Sequence, residues 1–584
     1  MVFLVDKCML EKDMKGLKRG LKAAVEQIDM TNTRIMLASF SRNLFLHLNP
    51  GESRFTRAVT VSCSNSMDQL FEILGVKQQK KDKNKISQFT QELETKLFFS
   101  DPNALLRSIN SLSCDFWVSP SSERPQRATG RCLEMVVQLL SSLNITGVRF
   151  MSFISGPSTV SRGRVANLPL SSFIRKTVDL ENSKEIQKLC LSAIEFYDSL
   201  TAKFVANKYI FDLFAHSLDQ FGLYEMKNLL FATGGTVYLD EEFEDVRFDE
   251  TLIQHLSKEK TTVYPDNEEE EETVYESGFN LMSEAKIDIR LSKQLKVIGC
   301  IGNVRSLKDK QLSQMIGTNT FGEGNTTSWY AGSLDFDSTF MFLLEVSEKS
   351  RAKAFPSHSH VQFQFITEYK HSNGQRILRV ITMEKPMVGY KKPIEILDYI
   401  DQLSLVISIA KIAGIRSMKQ NSRMVTRFVD KTLINILKKF QINGSIPQPL
   451  NLLPQYFYYL RKSFFVLKFG TSLDEMAYFR IVLLKECTSN IMVMIQPQVL
   501  QYSLNEEEPT AVLPDVSCMR KDVVLFADTY FNFVVWQGLT IKQWVDEGYH
   551  LKEDFANVKQ LIEAPDTDIP VSYTHLTLPT TPYV

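Results

Sequence analysis

Apolar residues recur along this chain with successive spacings, and each change of spacing predicts a change of architecture. Short, almost wholly apolar runs at 2–5, 34–40, 148–154 and 209–215 read as strands buried on both faces, as in a parallel sheet. Amphipathic stretches at 14–28, 127–140 and 183–203 alternate with them, the βαβ pattern of an open doubly wound sheet. From Lys286 the period becomes two: "KIDIRLS" puts Ile287, Ile289 and Leu291 on one face. "HVQFQFITEYKHSNGQRILRVITM" then reads as a hairpin turning at Ser372-Asn373-Gly374, with Val361, Phe363 and Phe365 alternating before the turn, and a β-sandwich follows as the expectation. Residues 393–440 return to helical spacing, with Phe428, Thr432, Ile436 and Phe440 one turn apart beside Val429, Leu433 and Leu437. "LLPQYFYYLRKS" and "SLDEMAYFRIVLLKE" extend that helical module. After Cys487, strands are predicted in "IMVMIQP" and "DVVLFADTYFNFVVWQG" and helices in "TIKQWVDEGY" and "DFANVKQLIE", an α/β module.

Composition limits what these elements do. A chain of 584 residues is too long for one core, and about three to five domains is the prior. Lys plus Arg number 67 against 68 Asp plus Glu, so no global basic field argues for nucleic acid. The apolar start ends at Asp6, too early for a signal peptide or a membrane span, and the most apolar later stretch, 405–415, contains Lys411; a soluble, non-secreted protein is expected. The eight cysteines, Cys8, Cys63, Cys114, Cys132, Cys190, Cys300, Cys487 and Cys518, form no C-x-x-C pair, which excludes a zinc ribbon within the chain and suits buried thiols in a reducing compartment. Two charged runs, Lys77 to Lys85 and Asp266 to Glu272, read as solvated loops rather than docking patches, and the second marks a boundary.

Candidate chemistry is sparse. A doubly wound domain whose first strand ends in Asp resembles von Willebrand factor A domains, where a D-x-S-x-S loop, a Thr and an Asp hold Mg²⁺ through oxygen ligands. Here the loop is "DKCML": Asp6 is present, Cys8 and Leu10 replace both hydroxyls, and Thr129 in "RATGRC" stands at the Thr position. Asp6 and Thr129 are therefore vestigial positions of a degenerate site, and a metal-free scaffold is expected. His358 and His360 in "SHSH" lack a third ligand nearby and read as polar residues before a strand. "GTNTFGEGN" has no Lys where a phosphate-binding loop requires one, and reads as a loop. Neither G-x-S-x-G nor H-E-x-x-H occurs. Trp536 and Trp544 read as core residues of a strand and the helix after it, not as a binding platform.

Five separated segments carry a family resemblance. "AHSLDQFGLYEMKNLLFATGG", "QFQFITEYKHSNGQRILRVIT", "LLPQYFYYLRKS", "MIQP" and "ADTYFNFVVWQGLTIKQWVDEGY" are similar, in this order, to the Sec twenty-three family, the GTPase-activating subunit of the inner COPII vesicle coat. The cargo-adaptor paralogue of that coat shares the architecture and an S-G-x-R-x-x-R-V hairpin like that around Gln375 to Val380, whereas "QGLTIKQW" and "LDQFGLYEMK" lean toward the activating subunit. The resemblance implies a multidomain α/β plus β chain. Its map is a von Willebrand factor A-like trunk over 1–265, an acidic linker over 266–276, an incomplete β-sandwich over 277–387, a helical domain over 388–487, a partial gelsolin-like domain over 488–569 and a non-native tail over 570–584.

The resemblance also implies a role. The protein would be cytoplasmic and peripheral on endoplasmic reticulum membranes and COPII vesicles, serving transport to the Golgi. It would pair with the cargo-adaptor paralogue, meet the outer-coat subunits, and activate a Sar-type small GTPase by inserting an arginine into the partner's nucleotide site, with no active site or cofactor of its own. Two departures qualify this. The family's zinc ribbon and leading sandwich strands have no counterpart ahead of Met1, so Zn²⁺ is expected in the family but not here, and unpaired strand edges are expected to favour aggregation. The family's G-G-S-Q-A-R-F segment with the finger arginine is also without a match, and Arg461, Arg480 and Arg520 belong to other motifs. "VSYTHLTLPTTPYV" reads as translated adapter sequence. The alternative reading is the cargo adaptor, a non-enzymatic binding platform.

Overall fold

The computed structural model describes residues 1–568 except 52, 54, 76–90, 116–119, 173, 257, 264–272, 280–281, 308–314, 319, 336–337, 348–359, 372–373, 388–392, 419, 468–470 and 505–507. Two compact units emerge, residues 1–389 with 470–485, and residues 390–469 with 486–584. The lysine-rich run, the acidic run, His358 and the tail from 570 onward lie outside the described residues.

The first unit is built on a sheet of β1 (Val2–Asp6), β2 (Ile35–Phe40), β3 (Asn43–Leu48), β4 (Arg57–Ser62), β5 (Phe98–Phe99), β6 (Arg149–Ile154), β7 (Ile210–His216) and β8 (Val237–Asp240). Their order is β4-β3-β2-β1-β6-β7-β8, with β5 against β2. The four predicted runs are the neighbours β2, β1, β6 and β7, paired in parallel and buried at every residue. Full burial follows from helices on both faces. Phe3, Val5, Leu37, Met151 and Phe153 share a core with Leu17 and Leu21 of the helix Glu11–Gln27 and Phe248 of the helix Val246–His255. On the opposite face Phe150 meets Phe204 of the helix Lys184–Ala206 at 4.9 Å between ring centres. The antiparallel edge formed by β3, β4 and β5 was not announced by the pattern, because β3 alternates only partly and β4 is largely exposed.

Next along the chain, β9 (Lys258–Val263) and β10 (Thr273–Phe279) pair antiparallel. This corrects the linker expected over 266–276: its last residues, from Thr273, belong to a strand. Two sheets then follow. One has the order β13 (Arg305–Ser306), β15 (Ser328–Leu334), β11 (Met282–Leu291), β17 (His360–Lys370), β18 (Arg376–Pro386); the other is β14 (Glu323–Gly324), β12 (Leu295–Ile301), β16 (Met341–Val346). The predicted face of Ile287, Ile289 and Leu291 is buried with Val361 and Trp329, and Phe342 bridges the two sheets through ring contacts to Trp329 and Phe365. Gly374 turns the β17–β18 hairpin at φ +88°, a conformation that favours glycine. β18 ends its sheet and exposes Leu378, Val380, Ile381 and Met383.

In the second unit the helices Gln402–Ser417, Ser422–Phe440 and Leu453–Lys462 follow the predicted spacing. "IMVMIQP" departs from it. The residues Thr488–Ile495 form a helix, not a strand, with Ile491, Met494 and Ile495 buried at helical spacing, and the strand β19 (Gln498–Ser503) starts only after it. β19 joins β20 (Thr510–Val512), β21 (Val523–Asp528) and β22 (Phe533–Gln537) in the order β20-β19-β21-β22, alongside the helices Leu539–Asp546 and Ala556–Asp568. Trp536 packs with Val499, Val523 and Leu525, and Trp544 with Tyr502, Val524 and Phe526. The two tryptophans thus lie in separate clusters and form no common platform.

The helix Leu473–Lys485 has helical spacing like its sequence neighbours but belongs to the first unit. Asp474 fixes it there. Its carboxylate accepts hydrogen bonds from the backbone N–H groups of Phe221 (2.8 Å), Gly222 (2.8 Å) and Tyr224 (2.9 Å) and from Arg175 Nη2 (2.7 Å). Arg175 also binds Glu225 through Nε (2.7 Å) and Nη2 (2.5 Å). Burial alone would raise the Asp474 pKa, but Arg175 and the three N–H groups outweigh it and hold the carboxyl below its usual range. A carboxyl with a lowered folded pKa stabilises the fold above its unfolded pKa, and that contribution is lost as pH falls through the folded value. Asp474→Ala leaves three buried amides without an acceptor and Arg175 with Glu225 as its one remaining carboxylate; a loss of about 3–5 kcal/mol is expected in urea unfolding at pH 7, with a smaller difference from wild type in acid.

Candidate functional site

In an open α/β sheet, ligands sit outside the carboxyl ends of the strands where the strand order reverses. Here that point lies between β1 and β6. Asp6 closes β1, Ser155 follows β6, and Arg127 stands two residues ahead of the helix Thr129–Ser142. A cavity of about 550 Å³ opens there, lined by Cys8, Leu10, Asp13, Arg127, Ser155 and His216 among others.

Asp6 is fully buried and fully engaged. It accepts from Arg127 Nε (2.6 Å), from the Ser155 backbone N–H (3.0 Å) and hydroxyl (2.8 Å), and from the Cys8 N–H (2.8 Å). The same guanidinium donates to the carbonyls of Pro157 (3.1 Å) and Cys8 (2.8 Å). A fixed protein cation thus stands against the carboxylate that would face Mg²⁺ in a von Willebrand site. The residues present do not fit a divalent cation: Cys8 and Leu10 offer no hard oxygen in their side chains and the Arg127 guanidinium already sits on the Asp6 carboxylate, although the buried Thr129 hydroxyl has no hydrogen-bond partner. Among the described residues no three His, Cys, Asp or Glu side chains converge as metal ligands do. Arg127 was missed in the sequence although "RPQRATG" places it beside Thr129.

Two further clusters of perturbed groups are structural. Asp212 on β7 accepts from Arg149 Nη2 (2.9 Å) and Nε, from the Thr236 N–H (2.9 Å) and from His255 Nε2 (3.2 Å). Its pKa is driven well down because Arg149 and His255 outweigh the opposing effect of burial. All three side chains are buried, so no substrate reaches them. Ser39 Oγ and His47 Nε2 lie 2.9 Å apart beside a cavity of about 230 Å³, but its walls carry Lys7 and Arg57 and no carboxylate to orient the imidazole.

The remaining sequence candidates are dispersed. His360 is exposed at the start of β17, and the Gly-rich loop supplies β14, which pairs with β12. Arg461 pairs with Asp430 at 3.2 Å and Arg520 with Asp522 at 2.7 Å, both partly exposed. Arg480 is buried and donates to the carbonyl of Met476 on its own helix.

Replacing Arg127 by Met leaves Asp6 buried without its cation; an unfolding free energy lower by about 3–5 kcal/mol is expected, while millimolar Mg²⁺ leaves the wild-type melting temperature unchanged. Burial also lowers the pKa of His47 and His216 from 6.5 to about 4. Between those values the unfolded chain takes up protons that the folded chain does not, so stability is complete above pH 6.5 and falls as pH drops toward 4, by roughly 3 kcal/mol per histidine. His216→Gln is expected to flatten that slope in unfolding titrations.

Residues 1–259 match the Sec23/Sec24 trunk domain, 282–388 the Sec23/Sec24 beta-sandwich domain and 401–493 the Sec23/Sec24 helical domain. Protein transport protein SEC23 F of Arabidopsis thaliana is 30% identical over 589 aligned positions, covering 97% of this chain and 73% of that protein. The crystal structure of the human COPII-coat protein Sec24c superposes with a TM-score of 0.67 at 16% identity, covering 92% of this chain. The chain spans 64% of the length of that structure.

Proposed function

The chain belongs to the Sec23/Sec24 family, and from that premise we propose that it is a component of the inner COPII coat of the GTPase-activating type. One observation carries this reading: the 30% identity with a SEC23 protein extends along 97% of the chain, whereas the similarity to Sec24c is one of fold. The chain would pair with the cargo-adaptor paralogue, meet outer-coat subunits and sit peripherally on vesicle membranes. Among the described residues no helix is long and apolar enough to cross a membrane, which accords with peripheral attachment.

In this reading the nucleotide and Mg²⁺ belong to a Sar-type GTPase partner. Hydrolysis there builds charge on phosphate oxygens, and a guanidinium delivered in trans offsets it, an effect of roughly three to five orders of magnitude in rate. Residues 1–584 would supply the docking platform and not that arginine. Arg461 and Arg520 are engaged by neighbouring carboxylates and Arg480 is buried in its helix, which supports leaving all three out of the catalytic role. The saturated Asp6 and the sealed Asp212 cluster likewise support a chain without chemistry of its own. The fold is shared with Sec24c over 92% of the chain, and the second reading is a cargo adaptor that binds peptides.

Single-turnover GTP hydrolysis by a Sar-type GTPase separates these readings. Expected is binding of the GTP-loaded partner in a pull-down with less than about tenfold acceleration, against the thousandfold or more of a complete finger. Acceleration of the larger size overturns the docking-only role. Cargo-peptide binding without any GTPase affinity favours the adaptor.

A further inference from the structure

Two thiols far apart in sequence meet beside the trunk sheet. Cys63 lies in the turn after β4, Cys132 lies on the helix Thr129–Ser142, and their sulfurs are 3.4 Å apart across a sequence separation of 69 residues. Arg131 holds this arrangement already in the thiol state. Its Nε donates to the Cys63 carbonyl (3.2 Å), its Nη2 to the Asn65 carbonyl (3.0 Å), and its Nη1 to Glu134 Oε2 (2.8 Å) on the same helix. The Cys63 turn is therefore clamped to the helix that carries Cys132.

Access differs between the two. Cys63 is partly exposed and forms part of the wall of an open cavity of about 1050 Å³ that also includes Arg162, Gly163 and Phe196. Cys132 is fully buried. We propose that Cys63 and Cys132 form a reversible disulfide, with Cys63 as the attacking thiol reached through this cavity by a small disulfide oxidant and Cys132 as the resolving thiol.

The chemistry balances in two exchanges. The Cys63 thiolate attacks one sulfur of oxidised glutathione, forming a mixed disulfide and releasing one glutathione thiolate. Cys132 loses its proton and attacks the Cys63 sulfur, forming the internal bond and expelling the second glutathione thiolate. Two electrons pass from the cysteine pair to the oxidant, and the two protons end on the two glutathione molecules. Closing the sulfurs from 3.4 Å to the ~2.05 Å of a disulfide is a movement of little more than an ångström. The hydrogen bond from Cys132, with Arg131 and Arg42 nearby, lowers the Cys63 pKa, while burial raises that of Cys132. Burial also pushes up Cys8, Cys114 and Cys190, which sets Cys63 apart from them as a nucleophile.

The bond would tie the antiparallel edge of the sheet to the helix that follows Arg127. Cross-linking positions so distant in sequence restricts the unfolded chain, so the oxidised form should unfold later.

The test is incubation of the full chain with graded ratios of oxidised to reduced glutathione, trapping of free thiols with N-ethylmaleimide and mass spectrometry of the digest. A linked Cys63–Cys132 peptide, cleaved by dithiothreitol and accompanied by a melting temperature raised by several degrees, is expected. Cys63→Ser should leave Cys132 unmodified, and Cys132→Ala should trap glutathione on Cys63; Cys132→Ser gives the same readout if the alanine variant folds poorly. Recovery of both Cys63 and Cys132 as alkylated thiols at every ratio overturns the proposal. So does preferential linkage of any other pair.

Discussion

The Arg175 guanidinium, enclosed by Glu225 and Asp474, is the constraint on which the first unit depends. It joins three stretches of chain that nothing local brings together. A buried cation is tolerated only when opposite charge and hydrogen bonds replace water. Glu225 supplies one carboxylate from the helix Leu223–Thr233, and Asp474 supplies the other from some 250 residues later while capping the free N–H groups at that helix's start. Negative charge there also suits the helix dipole. Gly222, at φ +114° just before that helix, lets the backbone present those amides to Asp474.

The same solution recurs across the sheet. Asp6 at the end of β1 is met by Arg127, and Asp212 on β7 by Arg149, whose Nη1 also reaches the Ser333 hydroxyl of β15 at 3.2 Å. Arg127 neutralises Asp6 at the carboxyl end of β1, where a related sheet could hold a ligand, whereas Arg149 neutralises Asp212 toward the amino ends of β6 and β7. Both buried carboxylates are thereby compensated within the protein.

Much of this fold was legible along the chain. "VFLV" is apolar at every position and "IMLASF" at all but Ser39 because both faces are covered, and the period-two face of Ile287, Ile289 and Leu291 carried the sandwich. "IMVMI" was misread because a short apolar run satisfies either period; its helix is decided by packing on the helices Gln402–Ser417 and Leu453–Lys462. The edge strands β3 and β4 were missed because one-sided exposure weakens their apolar signal. At the candidate site, Asp6 and Thr129 were picked out from the sequence, but Arg127, which stands against Asp6, was not. An arginine in a loop has no period to announce it.

The sequence by itself determined the order of elements, the faces they bury and the absence of hydroxyl ligands after Asp6, because these depend on residues a few positions apart. Only the tertiary structure decided that Arg127 stands against Asp6, that Asp474 caps a helix some 250 residues earlier, and that Cys63 faces Cys132. Those pairings join residues separated by 69 to 250 positions and arise where packed elements bring distant segments side by side. Local spacing carries no record of such meetings, since what selects them is the exclusion of water from the assembled core.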